Sequence, residues 1–413
     1  MKVALLTYRG NMFCGGQGIY ASYLAKALNA QGVDVDVISG PPFPQVPTNV
    51  PLRKIPNNNV FGTRLSKWAR ERNPLNLLTP LSAWEALVSR VGVFPEMQTF
   101  SLRVLREWPR LQREKKYDIA IDNQCLGWGL LGLQVFKTPV VGLIHHPLHI
   151  DRAADFAIDS KWSQRVRRTL YFPLFMQEIV APRLQQVVTV SQASRKEISK
   201  YFKIPERNIE VILNGTDTDT FRPDPTIEKG FDLIFVGRTE DRKKGISTLI
   251  EALRYLPHVK LNIVDGRIPE DGLALRAIRR FGVGNQVTLR RNMLSKDELV
   301  KEYCSAKLAV VPSLYEGFGF PASEAMSCGL PVVANDAGAL PEVLGTDETC
   351  GALAPPNDPR ALSEKISLFL NDPQKLGIAG QNARKRVLRM FQWDVAANRW
   401  ITTLEDTLRV THG

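Results

Sequence analysis

LAVVPSLYEGFGFPASEAMSCGLPVVANDAGALPEVL, residues 308–344, decides how the rest of the chain is read. It opens on an apolar run, 308–311, with hydrophobic residues at every position, the pattern of a strand buried on both faces of a parallel sheet. Pro312 and Ser313 end the run. A turn carrying Gly317 and Gly319 leads to Pro321, which suits a helix start because proline has no N–H to leave unsatisfied there. The spacing predicts a helix over 322–327, a stop at Cys328-Gly329 and a second buried strand over 331–334. Strand, glycine turn, helix, strand is the repeating unit of an α/β fold built on parallel sheets.

Two acids mark the unit, Glu316 before the turn and Glu324 inside the helix. At this spacing alone they are ordinary surface carboxylates. Their context is different, because open α/β sheets bind ligands at the carboxyl ends of their strands. The main-chain N–H groups from Phe318 to Ala322 are expected to point from a helix start into the same crevice, a setting that suits phosphate. The run Glu-Gly-Phe-Gly-Phe-Pro-x-x-Glu-Ala-Met-x-x-Gly-x-Pro-Val-Val, with Gly338 and Leu340-Pro341-Glu342-Val343 after it, resembles the signature of family 4 retaining glycosyltransferases. The resemblance implies the GT-B architecture, two Rossmann-like domains facing each other across a cleft. It extends over nearly the whole chain.

The totals bound the answer before any further motif. A chain of 413 residues suits two domains, and 44% hydrophobic with 23% charged residues is a globular composition. No apolar stretch reaches the length of a membrane-spanning helix, and the apolar part of MKVALLTYRG is too short for a signal peptide. Cys14, Cys125, Cys304, Cys328 and Cys350 are scattered without a CxxC pair, which points to reduced thiols, a cytoplasmic location and no zinc site. The net charge of +12 is unevenly placed: 28 Lys and Arg stand against 17 Asp and Glu up to Thr218, and the remainder is nearly balanced. Such a basic half suits an anionic partner, a lipid phosphate or the inner membrane face, or else is a solvated surface. No nucleic-acid-binding signature accompanies it.

In the first half, strands are expected at 3–7, 33–38, 117–122, 139–144 and 187–190, with helices at 20–30 and 192–200, the latter opened by Ser191. The loop between the first strand and helix holds Gly15, Gly16 and Gly18; the glycines allow close approach of backbone to ligand, but the dinucleotide-binding spacing is absent. The resemblance implies that the backbone at Gly15 and Gly16 faces a donor diphosphate. Residues 40–108 mix prolines with Arg64, Lys67, Arg70, Arg72, Trp68 and Trp84 and fit either a helical packing layer or an acceptor or membrane surface. His145 ends a strand in the sequence PVVGLIHHP, where a neutral imidazole can bond a sugar hydroxyl or move a proton. That element resembles the family's P-V-V-x-T-x-H-D, departing at Leu143 and His146, so the role passes to His145 alone. Lys161, Arg165, Arg167 and Arg168 lie on an expected helical stretch, 159–183. The domain change is expected after Gly215, with 216–393 as the second domain and 394–413 returning to the first.

In the second half, a strand over 232–236 runs into Gly237-Arg238, and Lys243 and Lys244 precede Gly245. A guanidinium at a strand mouth suits bidentate phosphate contact and a lysine supplies a point charge. The family pattern G-R-x(4)-K-G fits Lys244 with one residue inserted, which leaves Lys243 as the other candidate. Asp265 stands where the family has a small residue. The resemblance then implies a retaining enzyme that moves a sugar from a UDP- or GDP-linked donor to a glycan or lipid-linked acceptor. Glu316, His145, Arg238 and Lys244 would be its catalytic groups. Gly15, Gly16, Arg238, Lys243, Lys244, Glu316, Gly317, Phe318, Gly319, Phe320 and Glu324 would bind the donor, with no metal or other cofactor needed. Two rival classes share the fold: a pyridoxal phosphate phosphorylase, whose lysine site is not identifiable here, and a non-catalytic relative that binds nucleotide or membrane.

Overall fold

In the computed structural model the run at 308–311 lies within the strand Ala306–Val311, hydrogen-bonded in parallel on both edges. The structure describes residues 1–10, 16–57, 79–90, 94–150, 152 and 174–412. Its thirteen strands among these residues are β1 (Lys2–Thr7), β2 (Asp34–Ser39), β3 (Leu52–Lys54), β4 (Ile119–Asn123), β5 (Val140–Ile144), β6 (Gln186–Thr189), β7 (Ile209–Val211), β8 (Phe231–Val236), β9 (Leu261–Val264), β10 (Val287–Arg290), β11 (Ala306–Val311), β12 (Val332–Asn335) and β13 (Gly351–Ala354).

They form two wholly parallel sheets, ordered β3-β2-β1-β4-β5-β6-β7 and β10-β9-β8-β11-β12-β13. The central strands β4, β5 and β12 are buried along their full length, while the edges β3 and β10 are partly exposed. This is why the central strands read as apolar runs, closed in β4 by Asp122 and Asn123 and in β12 by Asn335. In each sheet the strand order reverses once: β1 connects outward to β2 and β3, and β4 starts the other side. The second sheet does the same at β8 and β11. Such reversals open a crevice at the carboxyl ends of the two strands that flank them, the place where this class of sheet binds ligands.

The chain divides into two compact units. One comprises Met1–Val190, Ser194–Ile212 and Ala396–Gly413, the other Ser191–Ala193 and Leu213–Val395. Thr216 shows why the second unit begins where it does. Its N–H donates to the Phe391 carbonyl at 2.7 Å and its hydroxyl to Ser323 Oγ at 2.9 Å.

Several expected boundaries move. The strand expected over 117–122 is displaced to Ile119–Asn123, which puts Asn123 at a strand end. Of the helical stretch expected over 159–183, Leu174–Val180 is helical; Lys161, Arg165, Arg167 and Arg168 lie outside the described residues. The same holds for Arg64, Lys67, Trp68, Arg70 and Arg72. The described remainder of that region holds the short strand β3 and two helices, Pro80–Arg90 and Glu96–Lys115, the second of which buries Trp108 with its indole N–H on Thr138 at 3.2 Å.

Candidate active site

The second unit's crevice is built by two loops that hold each other. After β8, the main-chain N–H and hydroxyl of Thr239 donate to Asp265 at 2.7 and 2.8 Å, which ties the loop to the end of β9. Asp241 accepts the Lys243 N–H at 3.1 Å, and Gly245 takes the left-handed conformation at φ 65°. A Cβ on Gly245 would stand 1.9 Å from the Pro312 carbonyl, so only glycine allows the loop to lie against the end of β11. The Lys243 carbonyl accepts the Leu314 N–H at 2.6 Å, completing the link.

This arrangement separates the two lysines that the sequence left open. The main chain of Lys243 bonds both loops, whereas the ammonium of Lys244 donates to Glu316 Oε1 at 2.7 Å. Ser313 donates to the same oxygen at 2.8 Å. Glu316 is also fixed from behind: its carbonyl accepts the Ala339 N–H at 3.0 Å, and the adjoining Gly338 has φ 55°. Arg238, by contrast, is two-thirds exposed, with its guanidinium 3.6 Å from Asp241. Lys244, Glu316 and Arg238 therefore gather at the ends of β8 and β11, where the sheet order reverses.

The glycine turn continues into the helix Phe320–Ser327, which starts two residues earlier than expected because Gly319, at φ 103°, serves as its cap residue. That corrects the expected donors. Pro321 has no N–H, and the N–H groups of Ala322 and Ser323 are already taken by the Gly319 carbonyl at 3.0 and 3.2 Å. Of the expected donors, that leaves the N–H groups of Phe318, Gly319 and Phe320. Phe318 is buried against Phe391 and Phe320, ring centroids 5.6 and 5.3 Å away, and so braces the turn. Gly317 sits in the same turn. Glu324 faces inward: the fully buried Tyr303 donates its hydroxyl to Glu324 Oε2 at 3.1 Å, and burial pushes the carboxyl up to about 7.

The first unit has its own strand-end group. His145, just past β5, places Nε2 2.8 Å from Asn123 Oδ1 at the end of β4. Its main-chain N–H donates to Gln124 Oε1 at 2.8 Å, and the Tyr20 ring stands edge-on at 4.8 Å. Burial first, and the electrostatic influence of His146 second, lowers the imidazole to about 3, so the ring is neutral at physiological pH. Gly15 lies outside the described residues. Gly16 opens the helix Gln17–Ala30 with φ 67°, a conformation that favours glycine.

Comparison with known proteins agrees with this layout. Residues 217–386 match the family described as Glycosyl transferases group 1, and residues 14–220 match Glycosyltransferase Family 4. Over 412 residues the chain is 35% identical to the MMP alpha-(1->4)-mannosyltransferase of Mycolicibacterium hassiacum, covering 99% of this chain and 98% of that protein. The chain belongs to the group 1 glycosyl transferases. Two solved structures show the fold of this glycosyltransferase. The sucrose-phosphate synthase of Thermosynechococcus elongatus superimposes with a TM-score of 0.73 at 22% identity, covering 99% of both chains. HepE of Anabaena, in complex with UDP and glucose, gives 0.71 at 19% identity over 98% of this chain and 100% of its own. The glycosyltransferase has the GT-B fold. Among its described residues no helix is long and apolar enough to cross a membrane.

Sequence reasoning passed over two residues of these sites. Asp265 was noted only as a departure from pattern, yet it anchors the loop that carries Arg238. Asn123 was hidden at the end of the apolar run IAIDN; a polar residue closing such a run was its one signal.

Proposed function

We propose that this glycosyltransferase moves a hexosyl group from a UDP- or GDP-linked sugar to a glycan or lipid-linked acceptor, with retention at the anomeric carbon. The second unit holds the donor and the first the acceptor. The observation that carries this is the Lys244–Glu316 contact at the reversal point of the second sheet, beside an exposed arginine and the start of a helix.

An ammonium has three donors, so Lys244 holds Glu316 with one and offers the others to diphosphate oxygens. Arg238 and the N–H groups of Phe318, Gly319 and Phe320 add donors for the same charge. As the bond from the anomeric carbon to the diphosphate oxygen breaks, negative charge grows on the leaving group and these groups stabilise it. Glu316 contacts the sugar near the reacting carbon, Glu324 takes the ribose hydroxyls, and His145 accepts from a sugar hydroxyl. The acceptor hydroxyl attacks the face the diphosphate leaves and its proton passes to the departing oxygen. This needs no protein nucleophile and no resident cofactor. The mannosyltransferase relative favours a mannosyl donor. The basic first half favours an acceptor that is anionic or presented at the inner, anionic face of a membrane.

Thermal unfolding with UDP, GDP and ADP, each with and without magnesium, tests the donor site. A ligand at a hundredfold excess over its dissociation constant stabilises the folded state by about 2.7 kcal/mol. One nucleotide is expected to raise the midpoint without magnesium, and its mannose conjugate to release it when acceptor is added. No rise with any nucleotide overturns the donor assignment and leaves a non-catalytic relative.

A further inference from the structure

The hydrogen-bond chain around His145 assigns the position of its proton. The Gln17 carbonyl can only accept, and it lies 3.1 Å from Asn123 Nδ2, so the amide NH2 must face it. The same NH2 lies 3.3 Å from Thr7 Oγ1, whose own proton goes to the Arg9 carbonyl at 3.0 Å. Asn123 Oδ1 is thereby turned to His145 Nε2 at 2.8 Å. An amide oxygen cannot donate, so Nε2 carries the proton of the neutral ring and Nδ1 is left with the lone pair.

Among the described residues, several neighbours hold His145 in that orientation. Asn123 is fully buried. Gln124 adopts a left-handed φ of 59°, uncommon for a residue with a side chain, and from there its amide accepts the His145 N–H and donates to the His146 carbonyl at 3.0 Å. Ser194 donates to the His145 carbonyl at 3.1 Å. Tyr20, edge-on to the ring, accepts the indole N–H of Trp400 at 2.9 Å, so the last helix of the chain braces the imidazole from the other side.

We propose that Asn123 is a positioning residue that fixes His145 as its Nε2–H tautomer, so that Nδ1 acts solely as an acceptor for a substrate hydroxyl. The second half of this statement rests on the assignment of His145 to a sugar hydroxyl; the first half does not. The substrate group recognised is thus a neutral hydroxyl that donates its proton. A ligand carboxylate or phosphate at that position meets a lone pair and is rejected.

The test separates the two halves. The chain has five histidines, so 15N-histidine labelling gives few resonances, and His145→Gln identifies the one of interest. In the wild-type protein without substrate, Nε2 should show a protonated-type and Nδ1 an unprotonated-type shift; the reverse assignment overturns the proposal. In Asn123→Leu the tautomer preference should be lost and kcat/KM fall about ten- to hundredfold, the effect of leaving one buried hydrogen-bonding group unsatisfied. Asn123→Asp keeps an acceptor facing Nε2 and should restore the Nε2–H signature, with part of the activity. If Asn123→Leu keeps wild-type kinetics while His145→Gln is inactive, Asn123 does not position the ring. If His145→Gln keeps wild-type kinetics as well, the assignment of His145 to substrate falls and the tautomer stands alone. Should Asn123→Leu not fold, the wild-type spectrum still decides the first half, and Thr7→Val, which removes one acceptor of the Asn123 amide, should lower kcat/KM in the same direction.

Discussion

The strand ends of the two units handle charge in opposite ways. At the ends of β8 and β11, an ammonium and a carboxylate meet 2.7 Å apart beside an arginine that is mostly in solvent. At the ends of β4 and β5, burial disfavours charge: it lowers His145 to about 3 and raises the fully buried Asp122 to about 7. A site for a departing diphosphate needs fixed cations that retain their charge. A site that reads hydroxyls needs groups of known direction, and a neutral imidazole whose N–H is already held offers one acceptor. The two halves of one chain thus offer different chemistry on the same kind of sheet.

The same exchange, carboxylate to amide, should therefore have opposite outcomes in the two places. Glu316→Gln keeps the shape but removes the charge that Lys244 holds, and the rate of sugar transfer should fall about 10²–10³-fold, as when one preorganised electrostatic contact is lost. Steady-state kcat measures this, and unchanged turnover would remove the charged crevice from the chemistry. Next in size is Gly338→Ala. Its Cβ would lie 2.4 Å from the Glu316 carbonyl in a left-handed backbone, so the Glu316 loop must move. Activity should drop about tenfold or more, with a loss of about 1–3 kcal/mol in denaturant unfolding.

Asp122→Asn should do the reverse and stabilise. One carboxylate oxygen accepts the Leu126 N–H at 2.8 Å, which an amide oxygen can also do, while the other oxygen finds no partner among the described residues. Because the folded pKa is raised from 3.8 to about 7, the stability this group contributes is complete below the unfolded value. It is lost as the pH rises through the folded one. At pH 8 the Asn variant should exceed wild type by on the order of 1–3 kcal/mol, and at pH 4 the advantage should vanish. Denaturant midpoints at the two pH values check it; an advantage independent of pH would mean that Asp122 is not held neutral. The smallest effect belongs to Lys243→Ala. The loop uses that residue's main chain, so kcat/KM should change by less than about threefold, against a large loss for Lys244→Ala. Equal losses would erase the distinction between the two lysines.

The parallel strands were legible in the sequence because a strand buried on both faces is apolar along most of its length: β5 is so throughout, β11 from Leu308 on, and β4 and β12 until the polar residues that close them. Glu316 and Glu324 were singled out by the motif they share with the glycines and proline between them, through its resemblance to the family signature. Side-chain partners were not. Whether Lys243 or Lys244 reaches Glu316 turns on the Gly245 conformation and on its approach to Pro312, a contact between residues 67 positions apart in the chain. The spacing G-R-x(4)-K-G holds no information about it.

What the sequence determined by itself is the class of sheet, the strand ends at which polar residues collect and the family whose signature spans 308–344. Those follow from local rules, the apolar run and the glycine turn. What tertiary structure alone decided is which polar groups meet: Lys244 with Glu316, Thr239 with Asp265, and Asn123 with His145 across 22 positions of chain. A hydrogen bond requires its two atoms within about 3 Å. Distance along the sequence does not specify that, and the packing of the strands does.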